Sequence, residues 1–173
     1  MVIDSHLHVL KAENFDEVTE AQIGHRHPED TPIEDLVGWL VDAGVHKAVV
    51  MGQDTTRMWN SSCGEDYVLE CVNQYPDLFV PLAAVEAVDR SGRLNRAGLE
   101  YVERAVLDHH FKGMLLPPPY GHYSSDDPQV YPFYEKALEL DVVVQYHHCA
   151  TSAGVALAPY RYCRPESLHN VLI

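Results

Sequence analysis

Val2-Ile3-Asp4-Ser5-His6-Leu7-His8-Val9 alternates apolar and polar side chains, and that period of two predicts a first strand. Residues 10–30 are polar and contain Gly24 and Pro28, so they predict a long loop. Thr31-Pro32 then predicts a helix, with Thr31 as N-cap, Pro32 at the first helical position, an apolar face of Leu36, Leu40 and Ala43, and Gly44 as its stop. Lys47-Ala48-Val49-Val50-Met51-Gly52 is short and nearly continuously apolar, the pattern of a strand covered on both faces. The cycle repeats. A helix over about 62–75 is closed by Pro76, and a strand follows over 78–85. Next come a helix from Asn95 to about Asp108 and a strand over 111–116. After the break at Pro117-Pro118-Pro119-Tyr120-Gly121, a helix over 130–140 and a strand over 141–147 are predicted, and Pro165 opens a last helix running to Ile173.

Strand and helix thus alternate five times, which predicts βα units and a parallel sheet. Right-handed crossovers leave an open doubly wound sheet or a barrel. The nucleotide-binding open sheets carry a Gly-rich turn after the first strand, and neither G-x-G-x-x-G nor G-x-x-x-x-G-K-[ST] occurs here. The expectation is therefore an α/β fold of the (β/α)₈ TIM-barrel type. A whole barrel typically takes about 250 residues, so the 173 residues are expected to be one domain supplying about five units, truncated after the fifth strand. The open edges of strands one and five would then favour self-association into a homo-oligomer.

Composition narrows the class of function. With 12 Lys and Arg against 26 Asp and Glu, the net charge of −14 argues against nucleic acid or an anionic membrane surface as partner. No apolar run approaches the roughly 18–20 residues that span a bilayer, and the N-terminus lacks a signal-peptide pattern. Four scattered cysteines without a C-x-x-C suggest neither a zinc knuckle nor a disulfide framework. A cytoplasmic protein with a small-molecule substrate is the expectation. Eleven histidines are more than ordinary composition supplies, so their placement becomes the next question.

Residues i and i+2 of a strand share a face, so Asp4, His6 and His8 are predicted to form one row. Two imidazoles on a rigid strand are a plausible half of a divalent-metal site, though H-x-H also occurs by chance on half-exposed strands. The same alternation aligns Val143, Gln145 and His147, with His147 at the C-terminal end of the fifth strand, where parallel βα folds place their sites. Asp4, one step deeper than the histidines, is expected to support the site rather than bind metal. Gln53 to Trp59 forms the loop after the second strand. It reads either as ordinary solvated loop or as a substrate rim, with Arg57 holding a carboxylate and Trp59 stacking on an unsaturated or aromatic group. Tyr120 and His122, in the loop after the fourth strand, are further candidates for contact with substrate. His25 and His27 repeat the H-x-H spacing in a loop that does not hold both rings on one face, and His109-His110 suits the negative end of a helix dipole.

Ile3-Asp4-Ser5-His6-Leu7-His8 resembles the opening motif of the amidohydrolase superfamily. Phe111-Lys112-Gly113-Met114-Leu115-Leu116, Tyr131-Pro132-Phe133-Tyr134-Glu135-Lys136-Ala137 and Val142 to Thr151 are similar to later segments of its amidohydrolase 2 branch, which includes decarboxylases, hydratases and lactonases. That resemblance implies metal ligands at His6, His8 and His147. It also implies a sixth-strand histidine and an eighth-strand catalytic aspartate, both expected beyond Ile173. It implies one divalent ion, zinc foremost with manganese or iron as alternatives, because Gly113 to Pro117 offers no ligand to bridge a second. The function implied is a metal-dependent hydrolase, or a decarboxylase or hydratase, acting on a carboxylated small molecule. Its rivals are a non-catalytic half-barrel or assembly module, and a phosphoesterase-type barrel for which no convergent basic residues are evident.

Overall fold

The computed structural model describes residues 1–15, 17, 21, 30–59, 61–148 and 158–172. Its elements in chain order are β1 (Ile3–His8), α1 (Ile33–Asp42), β2 (Lys47–Met51), β3 (Gln53–Thr55), α2 (Thr56–Trp59), β4 (Ser61–Cys63), α3 (Glu65–Gln74), β5 (Phe79–Ala84), α4 (Arg96–His109), β6 (Gly113–Leu116), α5 (Pro118–Gly121), α6 (Tyr131–Leu140), β7 (Val143–Tyr146) and α7 (Pro165–Leu172). Five strands pair in parallel in the order β1-β2-β5-β6-β7. They form a curled half-barrel, a partial TIM barrel, with β1 and β7 at its edges.

Strand alternation divides the core into two layers. Ala48, Val50, Ala83, Met114 and Leu116 are buried together with helix residues Leu40, Val68, Cys71, Val102, Ala105, Phe133 and Ala137. Met51, Leu82 and Leu115, with Val49 and Ala84, make a separate smaller cluster on the other, concave face. Leu7 and Val9 of the first strand, and Val144 and Tyr146 of the last, pack with the helix layer. Their alternating neighbours His6, His8, Gln145 and His147 are thereby turned to the concave side. Gly113 is required at the β6–β7 contact, because a Cβ there would collide with the Val143 carbonyl.

Helix ends follow local chemistry. The Asn95 side chain accepts from Gly98 N at 3.0 Å and starts α4. His110 (φ 59°) ends that helix and Asp141 (φ 54°) ends α6, both in the left-handed conformation. At α1 the expected caps move by one place. Pro32 takes the N-cap position with ψ 140° and Ile33 becomes the first helical residue, so Thr31 caps nothing. The helix expected from about Ser62 begins at Glu65, because Ser61–Cys63 pairs antiparallel with Gln53–Thr55 in a small hairpin. Among the described residues no helix is long and apolar enough to cross a membrane.

Candidate functional site

The first strand does not run regularly through its histidines. Asp4 pairs with Ala48 and Leu7 with Val50, so Ser5 and His6 together face the single residue Val49. This is a β-bulge, and it breaks the expected Asp4–His6–His8 row at its first step. The Asp4 Oδ1 instead accepts from the backbone N–H of His6 at 3.0 Å, holding the bulge from below. Beyond the bulge His6 and His8 remain together, their rings edge to face with centroids 4.8 Å apart and their Nε2 atoms 3.1 Å apart.

The surrounding groups settle which ring nitrogens carry protons. His8 Nδ1 lies 2.7 Å from the Gly52 carbonyl, which can only accept, so Nδ1 is the donor. The Gln145 amide donates through Nε2 to the Ser5 carbonyl at 2.8 Å, which turns its Oε1 toward His6 Nδ1 at 3.0 Å and makes that nitrogen a donor too. In the neutral rings both Nε2 atoms then carry lone pairs, and these face each other. Such a contact is repulsive unless a cation sits between them, either a proton on one ring or a metal ion shared by both. Nitrogen ligands at about 2.0–2.1 Å from one ion are themselves roughly 3 Å apart, so the donor set fits a divalent metal. Burial holds the His8 imidazole below its usual range. The bond to Gly52 opposes that shift, and the neighbouring His6 and His147 rings reinforce it.

His6, His8 and His147 line one cavity of about 160 Å³ with Gln53, Asp54, Thr55, Ala84, Leu115, Pro117 and Tyr120. Its walls are strand ends and the segments just after them, the C-terminal face that serves βα barrels as a binding side. The His147 ring stacks on Tyr120 with centroids 4.5 Å apart, and its backbone N–H donates to the Leu116 carbonyl at 3.0 Å. Among the described residues, no three His, Cys, Asp or Glu side chains are grouped to hold an ion. The histidine pair and His147 line the same cavity.

The other expected residues divide. Tyr120 is buried in the cavity wall. Arg57 does not line the cavity: its Nη1 donates at 3.5 Å to the Asp89 carbonyl, in the loop beyond β5. His122 adopts φ 54° and stacks on Tyr162 at 5.9 Å, outside the cavity lining. Trp59 ends α2, and its side chain lies outside the described residues, as do His25, His27 and Cys149. His109 pairs with Glu65 at 3.3 Å, a contact between two helices.

Sequence reasoning missed the carboxylates that hold the rim. Asp54 Oδ1 accepts from Thr56 N and Thr56 Oγ1 at 3.3 and 2.6 Å, and its Oδ2 accepts from Glu86 N at 3.0 Å. Glu86, buried just beyond β5, accepts from Arg57 N through both oxygens at 3.1 and 3.2 Å. Burial and then the Asp54 charge push its carboxyl up to about 8, against the opposing Arg57 N–H and the Arg57 and Arg90 charges. The Asp54-Thr55-Thr56 run, an Asx-turn pattern, was the one available signal.

The amidohydrolase family model matches residues 3–171. No curated protein matches the chain. Among solved structures, an uncharacterised TIM-barrel protein from Bordetella bronchiseptica aligns with 99% of this chain and 62% of its own at 21% identity and a TM-score of 0.69. The 5-carboxyvanillate decarboxylase of Novosphingobium aromaticivorans, with bound manganese and a nitrobenzoic acid ligand, aligns with 99% of this chain and 55% of its own (12% identity, TM-score 0.66). A 2,6-dihydroxybenzoate decarboxylase from Rhizobium aligns with 87% and 50% (16% identity, TM-score 0.58). The chain thus spans 50–62% of the length of these proteins.

Proposed function

The chain belongs to the amidohydrolase family, and we propose that it is a metal-dependent member acting on a carboxylated small molecule, as a hydrolase or as a decarboxylase or hydratase. The observation that carries this reading is the pair of Nε2 lone pairs facing each other at 3.1 Å, each fixed by a partner on the far side of its ring. His6 and His8 would hold the ion, with His147 from the same cavity as third nitrogen ligand. A divalent ion there supplies Lewis acidity toward a substrate oxygen. Zinc suits imidazole donors, and the manganese in the Novosphingobium decarboxylase supports that ion as the alternative.

The chain's own residues provide binding and exclusion of water. Tyr120 braces the His147 ring from the cavity wall, while Ala84, Leu115 and Pro117 keep that side of the cavity apolar. Arg57, Trp59 and His122 lie on the loops after the same strands and are proposed to meet the outer part of the substrate. Asp4 acts through the His6 backbone.

Metal titration of the protein against a His6→Ala/His8→Ala variant tests this. Uptake of one zinc or manganese ion is expected, weakened at least about 100-fold in the variant. Equal uptake by both proteins would overturn the reading. A second reading, in which these residues bind the ion without turnover, draws on the same histidine pair. Metal uptake without consumption of any of a panel of hydroxybenzoates and unsaturated dicarboxylates would select it.

A further inference from the structure

We propose that Gln145 is the positioning residue that turns the His6–His8 pair into a cation site, and that the bulge in β1 is what makes it able to do so. Because Ser5 and His6 share one partner residue on β2, the strand register assigns neither of them a residue of its own. At the bulge the His6 N–H and the Ser5 carbonyl both take side-chain partners. Asp4 takes the His6 N–H at 3.0 Å, and the Gln145 amide nitrogen takes the Ser5 carbonyl at 2.8 Å.

The second contact has a chemical consequence. An amide group has one donor end and one acceptor end. With the donor end committed to Ser5, the acceptor end must face His6 Nδ1, 3.0 Å away. A glutamine turned the other way would present N–H to His6, place the ring proton on Nε2 and close the metal-facing nitrogen. The orientation of one amide, set by a main-chain carbonyl, therefore selects the His6 tautomer. His8 receives the same treatment from the Gly52 carbonyl, so the two rings are held by two unrelated anchors.

Gln145 also lies on β7, whereas Ser5 and His6 lie on β1, and these are the two edge strands of the sheet. The side chain thus reaches across the concave face, over 139 and 140 residues of sequence, and joins the edges at the point where the histidines stand.

The tautomer part of this proposal stands on hydrogen bonding alone, and the affinity part rests on the metal reading above. Both are tested together with Gln145→Leu and Gln145→Glu. Nitrogen–proton NMR correlation of the imidazoles in metal-free protein reads which ring nitrogen of His6 bears the proton, and titration with cobalt(II) or zinc reads affinity. Wild type is expected to show Nδ1–H at His6. Gln145→Leu is expected to move the proton to Nε2 and weaken metal binding about 10- to 100-fold, the usual effect of losing a residue that orients a ligand. Gln145→Glu retains the acceptor and loses the Ser5 donor, so it is expected to restore Nδ1–H and metal affinity at or near the wild-type value. An unchanged His6 tautomer and affinity in Gln145→Leu would overturn the proposal. So would a Gln145→Glu protein that behaves like the leucine variant. If Gln145→Leu does not fold, the Gln145→Glu spectrum decides, with Nε2–H at His6 counting against the proposal. If wild type takes up no metal, the metal reading fails while the tautomer comparison still decides the role of Gln145.

Discussion

Around Asp54 and Glu86 all four carboxylate oxygens face a donor from the protein, whereas at His6 and His8 two acceptor nitrogens face each other at 3.1 Å. Both clusters sit where strands end and loops begin. The first ties the loop after β2 to the segment after β5, with Arg90 Nη2 adding a bond to the Thr56 carbonyl at 3.1 Å. It is closed chemistry: its polar groups are spent on the fold. The second is open, since its anchors occupy only the Nδ1 sides of the rings. A group that folding leaves facing a like partner is a better mark of function than a polar residue in a cleft, because something outside the chain must complete it.

The widest measurable separation between the two clusters is in pH dependence. Glu86 is held neutral by burial, so between about 4.5 and about 8 the folded state keeps a proton that the unfolded chain releases. Its contribution to stability is therefore full below about 4.5, declines as pH rises, and reaches its floor above about 8. At about 1.4 kcal/mol per pH unit, the span has an upper bound on the order of 4–5 kcal/mol. Glu86→Gln keeps an acceptor for the Arg57 N–H and removes the titration. Urea denaturation at a series of pH values should give matching stabilities for the two proteins near pH 4 and a more stable variant at pH 9. Parallel profiles across the range would show that Glu86 is not held neutral.

Gly52 links the histidine pair to the β3–β4 hairpin, since its carbonyl holds His8 and its Cα lies against the Cys63 carbonyl. A Cβ there would run into the Cys63 carbonyl, so Gly52→Ala must push the hairpin away or rotate the peptide that anchors His8. A loss of about 3 kcal/mol is expected, the upper part of the range for overpacking. Chemical denaturation checks this, and a loss under about 1 kcal/mol would mean that the hairpin yields freely. Asn95 tests the closed cluster alone. Its side chain caps α4 through Gly98 N and donates to the Glu86 carbonyl at 2.8 Å. Asn95→Ala should cost about 1–2 kcal/mol in the same assay and leave metal uptake unchanged. A change in metal affinity would show that the two clusters are coupled.

Much of this architecture was legible because buried parallel strands and amphipathic helices write their periods into the chain. β2 reads as an apolar run, and alternation puts His6, His8, Gln145 and His147 on the face they occupy. What escaped depends on partners distant in sequence. The bulge exists only against β2, some forty residues on, and nothing within Asp4-Ser5-His6 announces it. The β3–β4 hairpin has three-residue strands, too short for a period to register, and Ser62 looked like a helix start instead. The sequence leaves Arg57 either in a solvated loop or at a substrate rim; the contact of its guanidinium with the Asp89 carbonyl at 3.5 Å involves a segment the sequence offers no reason to bring near. Gln145 was visible as a polar residue on the right face, but its importance lies in two contacts with the opposite edge strand.

Asp4 offers the smallest effect and the finest distinction. It stands two residues before His6, carries the formal charge that a cation would attract, and in a regular strand would lie beneath the histidine rings. The bulge changes that relation: one carboxylate oxygen is engaged with the His6 N–H at 3.0 Å, so its work is to hold the backbone from which the His6 ring projects. Asparagine is nearly the same shape and keeps that acceptor while losing the charge. Asp4→Asn is therefore expected to change stability by less than about 0.5 kcal/mol, within the scatter of surface substitutions. Metal affinity should change by no more than about threefold, well short of the 10- to 100-fold that follows the loss of a residue orienting a ligand. Isothermal titration with zinc, run beside Asp4→Ala, separates the two roles. The alanine variant removes the acceptor as well and should cost about 1 kcal/mol of stability. If asparagine instead abolishes metal binding while leaving stability intact, Asp4 is itself a ligand, and the open cluster extends one residue further down the strand than the bulge allows.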